Sequence, residues 1–208
     1  MSWQASANQA LLKPWAKPVV WVLCALPLAW LFVQAASSQL GANPAEALIH
    51  ATGLWTIRWL WLTLAISPLR DVFGLPGLLR HRRALGVTAF LYALLHFLAY
   101  AWLDKGLLVD DIVRDMLKRN FILVGLLALI LMTPLALTSF NRAIKALGGK
   151  RWQMLHRLVY VVALLGLLHF YWKKSAKNDV AEVLVYAAIL AVLLGWRVWR
   201  RRKKPSRG

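Results

Sequence analysis

The sequence is poor in cysteine and in acidic residues. Its 208 residues include one cysteine, Cys24, which excludes an intramolecular disulfide, a four-cysteine zinc site, a cysteine-held iron–sulfur cluster and the two-cysteine attachment of a c-type haem. Charged residues make up 16% and hydrophobic residues 60% of the chain, against about 25% and about 45–50% in ordinary soluble domains. Because so few charges cannot cover a water-facing surface, the composition predicts an integral membrane protein.

Six apolar stretches are long enough to cross a bilayer, whose hydrocarbon core of about 30 Å needs about 20 residues per helix. They span 18–36, 51–68, 84–103, 121–139, 152–172 and 180–197. The sequence has no internal repeat, low-complexity tract or long linker, so we expect residues 1–208 to form one all-α membrane domain, a bundle of six transmembrane helices. Lys13 and Lys17 before the first stretch are also typical of a signal peptide, but the stretch is long for one, which favours a membrane anchor.

The excess of basic residues predicts an orientation. If the N-terminus is cytoplasmic, the segments on that side hold 17 Lys and Arg and one acidic residue, Asp71, whereas those on the other side hold seven of each sign. Cytoplasmic loops of membrane proteins are enriched in Lys and Arg, so both termini are predicted to be cytoplasmic. The net charge of +18 therefore does not indicate nucleic-acid binding, and we expect the basic C-terminal tail to contact anionic membrane lipid.

Two histidines fall within the predicted spans at similar depth. His96 lies in the third span, seven residues before Leu103 at its outer end, and His169 lies in the fifth, three residues before Trp172. Ionisable residues inside a membrane are costly and are therefore functional candidates. Two imidazoles on different helices of a bundle can hold a haem iron between them, and the haem would be b-type because no cysteine pair is present to attach it. The alternative is a hydrogen bond between helices.

His156 is a candidate for a second haem. It precedes His169 by thirteen residues on the same predicted helix, which is about 20 Å along the axis. On an ideal helix the two side chains are about 140° apart, so a second haem would need a bend or different neighbours. His81 could serve geometrically as its partner, but it lies in the basic segment 80–83, where a solvated loop histidine is favoured.

Arg58 and His50 are candidates for contacts to the edge of a cofactor. Arg58 lies in the tryptophan-rich segment 55–61. Its side chain either extends to the outer surface or forms a salt bridge to a haem propionate, and the sequence gives the two interpretations equal weight. His50, at the outer end of the second span, is predicted to contact a propionate or a protein partner.

Several of these segments, taken together with His169, resemble the haem-binding membrane subunits of bacterial periplasmic methionine sulfoxide reductase systems, within the ferric-reductase-like transmembrane family. The resemblance extends from about residue 21 to residue 199. The matching segments are 40–46 (LGANPAE), 49–53 (IHATG), 64–70 (LAISPLR), 79–86 (LRHRRALG), 94–100 (LLHFLAY) and 152–160 (WQMLHRLVY).

The resemblance implies a six-helix protein of the bacterial inner membrane. Such a protein takes electrons from the quinone pool and passes them through b-type haem to a periplasmic molybdopterin-containing subunit, which reduces methionine sulfoxide in oxidised envelope proteins. The haem histidines of the family correspond to His96, His156 and His169. The resemblance also implies FMN, although the sequence has no phosphate-binding glycine loop that would place it. The sulfoxide chemistry would reside in the partner, so this chain is expected to be an electron-transfer subunit with one haem b or two.

Two alternatives remain at this point. The first is another b-haem transmembrane reductase of the ferric-reductase-like type, using a separate donor because six spans leave no room for a nucleotide-binding domain in this chain. The second is a non-redox membrane anchor, in which the histidines only form hydrogen bonds between helices.

Overall fold

The structure, a computed structural model, describes residues 2–175 and 178–203, and within these ranges it contains α-helices and no strand. Lys177, Lys204 and Arg207, which contribute to the predicted orientation, lie outside the described residues. A 3₁₀ turn at Pro76–Arg80 and a π-helical turn at Tyr100–Asp104 accompany the helices. The α-helices are α1 Trp3–Leu12, α2 Ala16–Ala36, α3 Pro44–Phe73, α4 Arg82–Ala99, α5 Val109–Lys118, α6 Asn120–Leu137, α7 Asn141–Leu147, α8 Gly149–His156, α9 Leu158–Ser175 and α10 Ala181–Arg202.

Five helical segments in the described ranges are long and apolar enough to cross a membrane. They coincide with the first, third, fourth, fifth and sixth predicted spans. The segments are Ala16–Ala36, Arg82–Asp104, Asn120–Leu137, Gly149–Ser175 and Ala181–Arg202.

The second predicted span lies within α3, which is the longest helix at 30 residues, or about 45 Å. It begins where the Asn43 side chain accepts a hydrogen bond from the Glu46 amide and ends at Gly74, which has a left-handed backbone with φ of 66°. Helix α3 is not among the five segments above, and much of its length is buried inside the bundle. Its polar Thr52 and Thr63 are buried, and each hydroxyl donates to a carbonyl one turn earlier in the helix.

The core forms where α3 packs against α4 and α6 packs against α9. Leu64, Ala89 and Ala163 are completely buried there. Helix α2 joins this core through the Tyr92 hydroxyl, which donates to the Cys24 carbonyl at 2.9 Å and accepts from the Leu28 amide at 3.1 Å. The tyrosine therefore bridges two backbone groups that an uninterrupted helix would pair directly.

Helix α1 covers the turn between α3 and α4, and it corrects the prediction for His81. The Asn8 side chain accepts from the Gly77 amide at 2.7 Å, and His81 Nε2 lies 3.1 Å from the Leu11 carbonyl. His81 is only 4% exposed, so the expectation of a solvated loop histidine was wrong. The sequence pattern did not reveal α1, which is too short and too polar to be detected as a span.

The C-terminal helix ends beside the same turn. Arg200 of α10 pairs with Asp71 near the end of α3 at 2.9 Å, and Arg70 pairs with the same carboxylate at 2.6 Å. Both ends of the described chain therefore lie at one end of the bundle.

The fifth predicted span is broken into α8 and α9 at Arg157. The Arg157 amide donates to the Met154 carbonyl, and the Tyr160 amide donates to the Arg157 carbonyl, so the helix tightens to i+3 bonding at this point. His156 and His169 consequently lie on different helices rather than on one ideal helix.

Candidate functional site

Two histidine side chains meet in the middle of the bundle. His96 of α4 and His169 of α9 have ring centroids 6.0 Å apart, with their ring planes at 82°. His96 Nδ1 lies 2.8 Å from the Ile49 carbonyl, and His169 Nδ1 lies 2.6 Å from the Phe121 carbonyl. A carbonyl can only accept, so each Nδ1 carries the proton and each Nε2 keeps a lone pair that can bind a metal.

A glycine makes room for each imidazole. Gly53 and Gly125 follow the accepting carbonyls by four residues, which places them on the same helix face one turn away. A Cβ at Gly53 would lie 2.9 Å from His96 Cε1, and one at Gly125 would lie 2.7 Å from His169 Nδ1. The rings therefore rest on bare backbone. The sequence analysis did not identify these glycines. The one feature of the sequence that could have indicated them is that an apolar helix on each side of the site contains a glycine.

The two rings line a cavity of about 620 Å³, here called the paired-histidine cavity. Side chains of α3, α4, α6 and α9 form most of its wall, which is apolar at depth. The polar residues that line it are concentrated near the helix ends and comprise Asn43, Glu46, His50, Thr56, Tyr100, Asp104, Arg119, Lys173, Lys174 and Glu182.

The donor set fits a haem better than a bare metal ion. The described residues contain no group of three or more His, Cys, Asp or Glu side chains that could hold a metal ion. A b-type haem needs only two axial ligands from the protein, because the porphyrin supplies the other four. A metal–imidazole bond is about 2.0–2.1 Å long, and the centre of the imidazole ring lies about 1.2 Å behind the bonded nitrogen. Two imidazoles that bind one ion from opposite sides would therefore have their ring centroids about 6.5 Å apart. The observed 6.0 Å is close to this value.

A second cavity, of about 470 Å³, lies towards the end of the bundle where the chain ends meet, and it is here called the basic cavity. His156 lines it, with its Nε2 3.0 Å from Thr138 Oγ1 and its ring stacked on Trp152 at 3.9 Å. The structure therefore separates His156 from the other two predicted haem histidines. The arginines that line the basic cavity are Arg82, Arg83, Arg157 and Arg201.

The two cavities share part of one wall. Leu60, Met132 and Val162 line both of them, and all three residues are buried. One layer of side chains therefore separates the basic cavity from the paired-histidine cavity.

Of the other two predicted site residues, His50 lines one of these two cavities, whereas Arg58 lies outside their described lining. His50 lines the paired-histidine cavity, with its Nε2 3.5 Å from a Glu46 carboxylate oxygen. Arg58 is not among the described residues that line either cavity. Its Nε donates to the Tyr186 hydroxyl at 3.0 Å, and its guanidinium lies over the Trp55 ring at 4.8 Å.

Helix α5 is attached at the mouth of the paired-histidine cavity through Asp115. The carboxylate accepts from the Tyr100 hydroxyl at 2.8 Å, pairs with Lys105 at 3.1 Å, and accepts from two nitrogens of Arg119. Burial raises the pKa of Asp115, but hydrogen bonds from Arg119, Tyr100 and Lys105 outweigh it, so the pKa lies below its ordinary value. Asp115 thus links the end of α4 to the start of α6.

Comparison with known proteins identifies the family. Residues 52–167 match the family described as "Ferric reductase like transmembrane component". The chain is 57% identical over 206 residues to the "Protein-methionine-sulfoxide reductase heme-binding subunit MsrQ" of Polaromonas naphthalenivorans, covering 99% of this chain and 94% of the relative. The protein of the same name from Ralstonia nicotianae is 51% identical over 180 residues, covering 86% and 83%. That from Herminiimonas arsenicoxydans is 46% identical over 193 residues, covering 91% and 88%.

No solved structure matches the chain significantly. The family match and the five apolar helices together show a multi-pass membrane protein. The similarity to the three relatives covers between 86% and 99% of this chain, and the match to the Polaromonas protein, over 206 residues, includes the cavity residues described above. The chain therefore belongs to the MsrQ heme-binding subunits, within the ferric reductase like transmembrane component family.

Proposed function

We propose that this chain is an electron-transfer subunit that binds a b-type haem between His96 and His169 and delivers electrons to a periplasmic methionine sulfoxide reductase. The observation that carries the proposal is the pair of imidazoles 6.0 Å apart, each with its Nδ1 held by a carbonyl. The family name supports both the cofactor and the partner. The partner would contain molybdopterin and reduce methionine sulfoxide in envelope proteins, as the family resemblance implies.

Each part of the site has a role in this function. The bound haem supplies one-electron redox chemistry. The Ile49 and Phe121 carbonyls fix the protonated nitrogen of each ring and orient Nε2 for ligation. The apolar lining limits water around the ligands, and His50, at the mouth of the cavity, is placed to contact a propionate or the partner protein.

We further propose that α3 is a sixth span, that both termini are cytoplasmic and that the protein lies in the bacterial inner membrane. Helix α3 runs from Asn43 at the paired-histidine cavity to Asp71 beside the C-terminal helix, and its 30 residues exceed the about 20 that a bilayer needs. An even number of crossings also agrees with the meeting of both chain ends. With the basic end inside, the paired-histidine cavity faces the periplasm.

The basic cavity is proposed as the entry point for electrons from the quinone pool and as the site of the FMN that the family resemblance implies. Its four arginines suit a phosphate group, and Trp152 offers an aromatic face beside His156. Only one histidine is found among the described residues that line this cavity, so we favour His156 as a contact to FMN or quinone, and a single haem, over a second axial pair.

The test is a dithionite-reduced minus oxidised visible spectrum of purified protein, with haem quantified per chain by pyridine haemochrome. We expect one low-spin haem b in the parent protein, and its loss in His96→Ala and in His169→Ala. His156→Ala should retain it, which makes that variant the matched control.

Full haem occupancy in either His96→Ala or His169→Ala would overturn the assigned pair. A parent protein without haem after expression with added haem would instead support the non-redox anchor. To separate this function from that of another b-haem reductase, reduced protein should be mixed with the periplasmic reductase and methionine sulfoxide. Reoxidation of more haem than the added reductase can itself accept, dependent on both additions, is the expected result, and its absence would contradict the proposed partner.

A further inference from the structure

A haem in the paired-histidine cavity would bring two propionate carboxylates with it. Carboxylates removed from bulk water need a cation or hydrogen-bond donors nearby. Among the described residues, three side-chain cations line the paired-histidine cavity, Arg119, Lys173 and Lys174. Arg58, the candidate from the sequence, lies outside the described lining and is held by Tyr186.

Arg119 and Lys174 are each held by acidic side chains. Arg119 pairs with Asp115 through two of its nitrogens. The Lys174 ammonium lies 2.7 Å from Asp179 and 3.5 Å from Glu182, so its charge is directed towards the α9–α10 connection.

Lys173 lines the cavity on the same helix face as one of the two histidines. It follows His169 by four residues on α9, and residues at this spacing occupy one face of a helix. Its side chain is half-buried. Among the described lining cations, Lys173 is therefore the one that shares a helix face with a proposed ligand, His169.

We infer that Lys173 holds the propionate edge of the haem and, through its charge, sets the reduction potential of that haem. This inference rests on the proposed function. The ferrous haem carries one positive charge less than the ferric haem, so a neighbouring ammonium favours the reduced form. Partial burial of Lys173 makes the effect larger than that of an exposed lysine and less sensitive to salt.

The experiment compares Lys173→Gln with Lys174→Gln, a matched control one residue away. The full-length protein is reconstituted in lipid nanodiscs, and the midpoint potential is measured by optical redox titration. Haem retention is measured as the rate of haem transfer to apomyoglobin. Lys173→Gln should lower the midpoint potential by about 59 mV, equivalent to a tenfold shift towards the oxidised form for one electron, and should speed haem transfer.

Lys174→Gln should change both values clearly less than Lys173→Gln does, because Asp179 and Glu182 compensate the Lys174 charge, and Lys173→Arg should restore most of the potential. Unchanged potential and transfer rate in Lys173→Gln would overturn the inference. An equal drop in both glutamine variants would also overturn it, because a general surface charge would then explain the effect. These outcomes are distinct from failure of the proposed function, in which the parent protein itself binds no haem.

Discussion

Gly53 and Gly125 leave the space that the imidazole rings occupy. Adding a methyl group at Gly53 would bring its Cβ to 2.9 Å from His96 Cε1, and at Gly125 to 2.7 Å from His169 Nδ1. The nearest atoms at both positions belong to the imidazole rings themselves, so the rings would have to move and Nε2 would leave its ligating position. We expect Gly53→Ala and Gly125→Ala each to lower haem occupancy at least several-fold, measured by pyridine haemochrome.

Gly86→Ala is the control for this prediction. Its added Cβ would meet Thr63 Cγ2 at 3.6 Å, an ordinary contact, so haem should be retained. Alanine raises intrinsic helix stability by up to about 1 kcal/mol relative to glycine, which means that helix propensity cannot explain a loss at the other two sites. Normal occupancy in both Gly53→Ala and Gly125→Ala would show that the rings are not fixed by close packing.

The sequence predicted that His96 and His169 lie close together better than it predicted their surroundings. Residue counting along a span gives depth, and equal depth was enough to select His96 and His169. It does not give rotation about the helix axis or the identity of a distant neighbour. Arg58 therefore could not be placed, because its orientation depends on Tyr186, 128 residues later. The contact of His81 with α1 was hidden for the same reason.

Helix α5 depends on the charge of Asp115, which gives its attachment a pH dependence. The pKa of this carboxyl lies below its ordinary value because hydrogen bonds from Arg119, Tyr100 and Lys105 outweigh burial. A group with a lowered pKa stabilises the folded state above its unfolded pKa, about 3.9 for Asp, and loses this contribution as the pH falls further. At neutral pH, Asp115→Asn should therefore lower stability by on the order of 1 kcal/mol.

The measurement is the thermal midpoint of parent and Asp115→Asn protein between pH 7 and pH 3. The difference between them should stay constant down to about pH 5 and shrink below about pH 4. Asp110→Asn, an exposed change on the same helix, is the control and should follow the parent protein. A constant difference at all pH values would contradict an electrostatic role for Asp115.

The predicted spans agree with the observed helices to within a few residues where a long apolar run defines them, because the length of such a run is a local property. The amphipathic helix α5 was not predicted, since ten residues are too few to span a bilayer and much of its apolar face is exposed. Contacts between distant helices also escaped the sequence pattern. Pro68 has no amide to donate to the Leu64 carbonyl one turn earlier, and Arg197 of α10 donates to that carbonyl instead.

The arrangement of the whole chain across the membrane can be tested with its single cysteine. Cys24 is buried, so Cys24→Ala provides a background for Asp110→Cys in α5 and Arg142→Cys in α7. With six spans and cytoplasmic termini, a membrane-impermeant maleimide should label Asp110→Cys in cells with a permeabilised outer membrane, and Arg142→Cys only after the inner membrane is broken. Labelling of both positions before inner-membrane rupture would contradict the proposed orientation.

The two cavities form one route across the molecule only if electrons cross the wall of Leu60, Met132 and Val162 that they share. Electronic coupling falls more steeply through empty space than through packed atoms, so a gap in this wall should slow the transfer. Met132 is 6% exposed, and Met132→Ala removes most of its side chain, whereas Met132→Leu nearly conserves its volume.

The rate of haem reduction can be measured by stopped flow with a reduced quinone analogue. Met132→Ala should slow haem reduction about tenfold or more, whereas in Met132→Leu the haem should be reduced at the parent rate. The same rate is expected for Leu129→Ala, because this change affects the lining of the paired-histidine cavity alone. Full reduction by dithionite in every variant establishes that haem is present, and an unchanged rate in Met132→Ala would mean that electrons reach the paired histidines by a path that avoids the basic cavity.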